Sequence, residues 1–169
     1  MMDIEDICVF LCGILYVGMA VPIKILCVLC QCTWGVVQNI VGLLVFLVTL
    51  KNKHSIFRCA VVTHWNHPYS MGCGMFIFKG DHGYAHYSDE RNEKINHDVL
   101  VHEYGHMVQS LILGPLFVPV IAIPSLLWAS IPYFDRLRSR RGLSYYWLYC
   151  EKWANLLGDK VCGNIREKC

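Results

Sequence analysis

The chain begins with a long hydrophobic run. From Ile7 to Leu50 the only charged residue is Lys24. A transmembrane helix needs about 20 consecutive apolar residues, so this run can hold two spans joined by a tight turn near residues 31–34. Three basic residues follow it directly, namely Lys51, Lys53 and Arg58. Because basic residues collect on the cytoplasmic side of a membrane, we predict a transmembrane hairpin over residues 1–53 with both ends in the cytoplasm.

A second uncharged run covers residues 111–134 and is rich in proline. It contains Gly114 and four prolines: Pro115, Pro119, Pro124 and Pro132. Proline breaks the interior of a helix, so the run is predicted either to cross the bilayer once or to re-enter it as two short half-helices. Four arginines follow and indicate another cytoplasmic end: Arg136, Arg138, Arg140 and Arg141.

The polar stretch between these two runs has the composition of short strands. Residues 57–63 and 73–79 are rich in β-branched and aromatic side chains, and several glycines separate them. Residues 82–87 are predicted to form a third strand at the edge of the sheet. We therefore expect a small β element before the next helix.

Two further helices are predicted. One begins at about Asn96, with Asn92 or Asn96 as its N-cap. The other covers residues 143–157 and ends at Gly158. The predicted fold class is a mainly α membrane protein with a small β element, in which residues 54–169 form a compact domain with a membrane-embedded insert.

Composition supports a membrane protein over other classes. Hydrophobic residues make up 55% of the 169 residues, and charged residues make up 17%, against about 25% in an average soluble domain. Disorder is therefore excluded as the main state. The net charge of +2 is too small, and too scattered, to indicate a nucleic-acid partner.

The chain has ten cysteines, and half of them lie in the first apolar run: Cys8, Cys12, Cys27, Cys30 and Cys32. Apolar flanks favour reduced thiols that act as small hydrophobes. A metal site at Cys27-x-x-Cys30-x-Cys32 is the alternative that these flanks disfavour.

The candidate chemistry lies in residues 102–106, which read His-Glu-Tyr-Gly-His. Two histidines at i and i+4 project from one face of a helix and can bind one zinc ion. Glu103 then lies beside the open metal position, where it can take a proton from bound water. Gly105 permits another element to pack closely against this helix. The alternative is an ordinary polar helix face with no metal.

A catalytic zinc needs a third protein ligand. Glu151 and Asn155 share a helix face at i and i+4, so Glu151 can bind the metal while Asn155 hydrogen-bonds a ligand histidine. Other residues left open as ligands are Asp135, Asp159, His97 and His67.

HEYGH, an apolar insert and then Glu-x-x-Ala-Asn together resemble the membrane gluzincins of the HtpX and CAAX-prenyl-protease group. The resemblance implies that His102, His106 and Glu151 are zinc ligands and that Glu103 is the catalytic base. Asn155 stands where that family has Asp. The chain also resembles short bacterial membrane proteins of unassigned function, through HEYGH and these residues: Gln109, Ser110, Leu113, Gly114, Pro115, Pro124 and Ser125. Both resemblances cover about residues 100–158.

Site-2 proteases share the pattern His-Glu-x-Gly-His, but their third ligand is an Asp in an Asn-Pro-Asp-Gly or Leu-Asp-Gly element that this chain lacks. Geometry also constrains the insert. If residues 111–134 crossed the bilayer once, Glu151 would lie on the opposite side from His102. A hairpin folded back at the prolines keeps both at the cytoplasmic face, and we expect this arrangement.

These observations predict a small membrane-embedded zinc endopeptidase. Its partners would be the lipid bilayer and a peptide or membrane-protein substrate, with an extended peptide joining a strand edge. The resemblance suggests a bacterial inner membrane, with the site facing the cytoplasm. Aromatic residues at 145, 146, 147 and 153 can pack in the core or form an interfacial belt, and a tyrosine among them can stabilise an oxyanion. The alternative function is a non-catalytic integral membrane protein with a structural zinc or no metal.

Overall fold

A computed structural model describes residues 25–80 and 89–162, together with Pro22. Most of these residues are helical, and they surround one small mixed sheet. The prediction of a mainly α fold with a small β element is confirmed. The strand predicted for residues 82–87 lies outside the described residues.

The first two helices form a sharp corner. Helix α1 (Ile25–Thr33) and helix α2 (Val36–Val48) meet at 96°, across the turn that the sequence predicted. In the described part of the chain, no single helix has both the length and the hydrophobicity to cross a bilayer. The first of the two predicted spans includes residues that lie outside the described part of the chain.

Buried amide side chains fasten this corner to the rest of the fold. Asn39 donates from Nδ2 to the backbone oxygens of Gln31 (2.7 Å) and Gly35 (2.9 Å), and its Oδ1 accepts from the Met75 N–H (2.8 Å). Gln31 donates from Nε2 to the Ser110 hydroxyl oxygen at 2.7 Å. Because buried polar groups are costly when unpaired, these bonds fix the corner against the sheet and the following helix.

Four short strands form the sheet in the order β1-β2-β4-β3. Their bounds are Lys53–Phe57 (β1), Ala60–Trp65 (β2), Met71–Cys73 (β3) and Phe76–Gly80 (β4). Strands β2 and β4 pair in parallel, and the two outer pairings are antiparallel. Strand β3 therefore lies at one edge of the sheet in the described part of the chain.

The strands predicted for residues 57–63 and 73–79 are each divided by a turn in the structure. Residues 57–63 contain the turn between β1 and β2, where Arg58 has a φ of 57°. Residues 73–79 contain the turn between β3 and β4, where Gly74 has a φ of 60°. A Cβ on Gly74 would lie 2.4 Å from Oδ1 of Asn39. Both the left-handed backbone and the lack of space therefore require glycine at this position. Composition alone does not reveal such reversals.

A long helix follows, and the prolines then break the chain into short segments. These are α3 (Asp89–Leu113), a 3-10 turn (Gly114–Leu116), a π-helical turn (Val118–Ala122), α4 (Ile123–Ser130), α5 (Pro132–Arg141), a second 3-10 turn (Tyr145–Trp147) and α6 (Tyr149–Cys162). Each proline is the first or second residue of a new segment, where its missing N–H costs least. The stretch Val118–Ser130 meets α5 at 77°, so residues 111–134 do not form one straight helix.

The predicted ends were wrong for both of these helices, α3 and α6. Helix α3 begins at Asp89, which puts Asn92 and Asn96 inside it. The acidic side chains of Glu90 and Glu93 favour the earlier start because they oppose the positive end of the helix dipole. Helix α6 begins at Tyr149 and continues past Gly158. That glycine serves a helix contact, since a Cβ there would lie 2.2 Å from the Val101 carbonyl oxygen.

Helix α3 lies between the sheet and α6. On one side, Tyr104 and Met107 pack against Ala60, Val62 and Ile77 of the sheet. The carboxyl half of the chain has its own core, formed by Phe117, Ile121 and Cys150. All of these side chains are buried. This packing places residues 102–106 in the interior.

Candidate metal centre

Helices α3 and α6 touch backbone to backbone. A Cβ on Gly105 would lie 1.9 Å from the Ala154 carbonyl oxygen. This is far below van der Waals contact, so no residue with a side chain fits here. Gly158 makes the matching contact with Val101 one turn further along. Because both contact positions are glycines, the helices approach closely enough for the Glu151 carboxylate on α6 to reach the histidines on α3. The close packing predicted at Gly105 is confirmed.

His102, His106 and Glu151 meet at one point. Their ligand atoms all lie within 4.8 Å of one another. Oε2 of Glu151 is 3.1 Å from Nε2 of His102 and 3.5 Å from Nε2 of His106. All three residues are buried, and Glu151 has no exposed surface. This group can hold a metal ion.

The other residues left open as ligands lie elsewhere. Within residues 25–80 and 90–162, no further set of three His, Cys, Asp or Glu side chains is arranged to hold an ion. Asp135 pairs with Arg138 instead (3.1 Å), and the ring of His67 packs against Trp65. Cys27-x-x-Cys30-x-Cys32 is no such set either, and Cys32 is exposed.

Gln109 orients the ring of His106. Its Nε2 donates to the Cys150 carbonyl oxygen at 2.8 Å, and its Oε1 lies 2.8 Å from Nδ1 of His106. A backbone carbonyl can only accept, so the amide oxygen must face the ring, and Nδ1 must carry the hydrogen. A neutral His106 therefore presents a free lone pair on Nε2 toward Glu151. The role of Gln109 was missed by the sequence analysis, which quoted it only as part of a resemblance.

Asn155 performs the corresponding function for His102. Its Oδ1 lies 2.9 Å from Nδ1 of His102, the contact that the spacing of Glu151 and Asn155 predicted. Metal-binding histidines commonly donate their second ring N–H to such an oxygen. Both rings are thus held with Nε2 toward the carboxylate.

This arrangement demands positive charge at its centre. Oε2 of Glu151 is buried without a hydrogen-bond donor and faces two ring nitrogens. Burial alone raises the pKa of Glu151, but the two neighbouring imidazoles outweigh it and bring the pKa well below its usual range. Burial lowers the pKa of His106, but the contact with Glu151 and the charge of Glu103 outweigh it and raise the pKa. Either a proton on an imidazole or a bound cation satisfies the carboxylate.

Glu103 lies beside this group and does not take part in it. Its side chain is buried, and burial raises its pKa against the opposing effect of the two histidines. The Gly72 N–H of strand β3 donates to its carboxylate. A Cβ on Gly72 would lie 3.1 Å from Oε2 of Glu103, so strand β3 runs directly past this acid. Neither Gly72 nor its contact was foreseen from the sequence.

The aromatic residues before α6 are separated by the fold. The ring of Tyr146 lies 5.1 Å from the ring of His102, and Tyr146 is partly exposed. The side chain of Arg138 covers the ring of Tyr145 at 5.7 Å, and Trp147 is largely exposed. Of these residues, Tyr146 is the one whose ring contacts a candidate ligand.

No family model, curated protein or solved structure matches the chain.

Proposed function

We propose that the protein is a small membrane-embedded, zinc-dependent endopeptidase with Glu103 as its general base. The observation that carries this proposal is the buried group of His102, His106 and Glu151 with the carboxylate of Glu103 beside it. Two imidazole nitrogens and one carboxylate oxygen are a donor set typical of catalytic zinc, which keeps a fourth position open.

The residues fit a zinc ion in two respects. Oε2 of Glu151 is buried and has no hydrogen-bond donor, which a cation would correct. The amide oxygens of Asn155 and Gln109 accept hydrogen bonds from Nδ1 of His102 and His106. Nε2 of each histidine is therefore available to a metal ion. When bound, zinc would lower the pKa of a coordinated water to about 7 and polarise a substrate carbonyl.

Glu103 would move the proton. Its raised pKa brings it closer to neutrality, where a carboxylate can accept a proton and return it to a leaving amine. The Gly72 N–H fixes the orientation of the carboxylate. A purely structural metal needs no buried acid in this place, which favours catalysis over the non-catalytic alternative.

The substrate would be an extended peptide. Strand β3 lies at the edge of the described sheet and passes Glu103, so a peptide that paired along this edge would run past the metal centre. Main-chain hydrogen bonds would then supply affinity with little dependence on sequence. Unfolded peptides or segments of membrane proteins fit this mode of binding.

The membrane part of the proposal depends on exposed apolar side chains. Helices α1, α2 and α4 expose several of them, including Leu26, Leu44, Val48 and Leu126. Apolar surface on this scale indicates a partner or a membrane. Two bent pairs of helices each have the combined length and hydrophobicity of one membrane span. Basic residues follow the first pair and also form the end of the second pair. Under the positive-inside rule they favour a site at the cytoplasmic face, and the resemblance favours the inner membrane of a bacterium.

The test compares Glu103→Gln with a matched control, Glu90→Gln, which changes an exposed glutamate on the same helix. Zinc content and cleavage of an unfolded protein are measured for the full chain purified in detergent. We expect Glu103→Gln to retain zinc and lose cleavage by about 10²–10⁴-fold, while Glu90→Gln behaves like the wild type. Glu151→Ala should lose the zinc.

Each contrary result has a definite meaning. Cleavage by Glu103→Gln at the wild-type rate would exclude the assigned base. Zinc binding with no cleavage of any unfolded substrate would favour the non-catalytic alternative. Absence of zinc from the wild type, after zinc is supplied during expression, would overturn the metal centre itself.

A further inference from the structure

Two thiols meet behind the metal helix. Cys59 lies in the turn between β1 and β2, and its Sγ is 3.5 Å from Sγ of Cys27 on α1. The same Cys59 sulfur is 2.9 Å from the hydroxyl oxygen of Tyr104. Tyr104 belongs to the HEYGH segment, but its ring packs toward the sheet. The thiol pair therefore contacts α3 on the face away from the candidate metal ligands.

The pair is held by elements that are fixed independently. Arg58, with its left-handed backbone, donates from Nη2 to the Cys162 carbonyl oxygen at 3.1 Å and so anchors the turn to α6. Gln31 anchors α1 to α3 through Ser110. A disulfide has an S–S distance of about 2.05 Å, so closure needs an approach of about 1.5 Å. Rotation of the side chains and a small shift of α1 can supply it.

Cys59 borders a groove at the surface. A largely apolar groove of about 400 Å³ lies between α1 and the β1–β2 turn, and Cys59 is among the residues that line it, with Ile25, Leu29, Ile56 and Arg58. Both cysteines are partly buried. A small reagent can enter this groove.

We propose that Cys27 and Cys59 are a reversible redox pair, which a low-molecular-weight disulfide oxidises to a disulfide that fixes α1 to the β1–β2 turn. One cysteine, as the thiolate, attacks a sulfur of the small disulfide and releases one small thiol. The second thiolate then attacks the protein sulfur of this mixed disulfide and releases the other. Two protein thiols become one disulfide, and the two protons end on the two released thiols.

The closed pair would stabilise the amino-terminal corner. It would link positions 32 residues apart in sequence and remove freedom from the unfolded chain. Since α1 and the turn both contact α3, the link would restrict movement behind the metal helix without touching a ligand. We expect zinc to remain bound in both redox states.

The experiment treats the full-length chain in detergent with oxidised glutathione at mildly alkaline pH. Thiols are counted by mass shift with a maleimide, and peptides are mapped without reduction. We expect the loss of two thiols without a glutathione adduct, a cross-link that fragmentation assigns to Cys27 and Cys59, and a Tm higher by roughly 5–10 °C. Dithiothreitol should reverse all three changes.

Variants complete the test. Cys27→Ser and Cys59→Ser should lose the cross-link and the rise in Tm. Cys32→Ser, which changes an exposed cysteine on the same helix, should behave like the wild type. A stable glutathione adduct in place of the cross-link, or a cross-link from Cys59 to Cys162, would overturn the proposal. The peptide map of the wild type shows whether the Cys27–Cys59 cross-link forms, even if a variant fails to fold. No step of the experiment requires zinc or peptidase activity.

Discussion

The side-chain oxygen of Gln109 lies 2.8 Å from Nδ1 of His106, while the amide nitrogen of the same side chain donates to the Cys150 backbone. This buried amide links a candidate ligand on α3 to the residue directly before a candidate ligand on α6. Gln109 therefore sets the tautomer of His106 and also helps to hold the two helices in register. These two roles can be separated by measurement.

Gln109→Leu should weaken zinc binding by roughly 10–100-fold, because His106 would lose the acceptor that keeps the hydrogen on Nδ1. Competition with a chelator measures the affinity. Gln38→Leu is the matched control, since Gln38 is also a buried amide but bonds the Gly114 carbonyl, away from the metal centre. Equal losses in both variants would indicate general loosening, and unchanged affinity in Gln109→Leu would contradict the assigned role.

Asn155→Ala should lower zinc affinity by a similar factor of about 10–100, because Nδ1 of His102 would lose its acceptor. Asn155→Asp should recover the affinity, since a carboxylate also accepts this hydrogen bond. Calorimetric titration with zinc compares both variants with Asn52→Ala, a half-buried loop asparagine that bonds the His64 carbonyl oxygen. If Asn155→Ala binds zinc as tightly as the wild type, the contact has no role in metal binding.

Gly105→Ala should separate α3 from α6. The new methyl group would occupy the place of the Ala154 carbonyl oxygen, and overpacking of this kind costs about 1–3 kcal/mol or more. We expect a lower Tm together with loss of zinc, since Glu151 would move away from the histidines. Gly142→Ala is the control, because nothing lies within 4 Å of its Cβ and only left-handed backbone strain of about 1–2 kcal/mol is added. It should lower Tm slightly and keep the zinc; retention of zinc by Gly105→Ala would contradict the helix contact.

The metal-free protein should lose stability as pH rises above 6.5, the ordinary pKa of a histidine. The pKa of His106 is raised above its ordinary value of 6.5, so above that value the native state binds more protons than the unfolded state, and the free energy of unfolding falls with pH. Glu103, whose pKa burial also raises, acts in the same direction. Thermal melting in the presence of a chelator measures this slope.

Zinc should reverse that dependence, because zinc and protons compete for Nε2 and zinc binds more tightly as pH rises. The difference in Tm between zinc-loaded and zinc-free protein should therefore grow with pH. Glu151→Gln removes a charge that raises the pKa of His106 and should flatten the slope of the metal-free protein. A metal-free Tm that rises across this range would contradict the assigned charges.

Local rules were enough for part of this protein. The positions of His102, Glu103 and His106 follow from helical periodicity, which operates within a single turn. The turn between α1 and α2 and the breaks at the prolines also follow from nearby residues, since proline acts on the helix in which it stands. Glu151 and Asn155 were candidates because their own spacing is helical, and the resemblance to membrane gluzincins selected Glu151 among the possible third ligands. The contact of their helix with α3 was an assumption.

Tertiary structure decided the rest, because it depends on contacts between residues distant in the chain. The reversals at Arg58 and Gly74 interrupt stretches whose composition is that of continuous strands. Gly158 resembles a helix end but lies inside α6, where the close approach of α3 requires a residue without a side chain. The backbone donor for Glu103 comes from strand β3, and the carbonyl that fixes the orientation of the Gln109 amide comes from Cys150 on α6. The sequence by itself determined which groups can do chemistry, and packing decided which of them meet, since hydrogen bonds and steric contacts act only over a few ångströms in space.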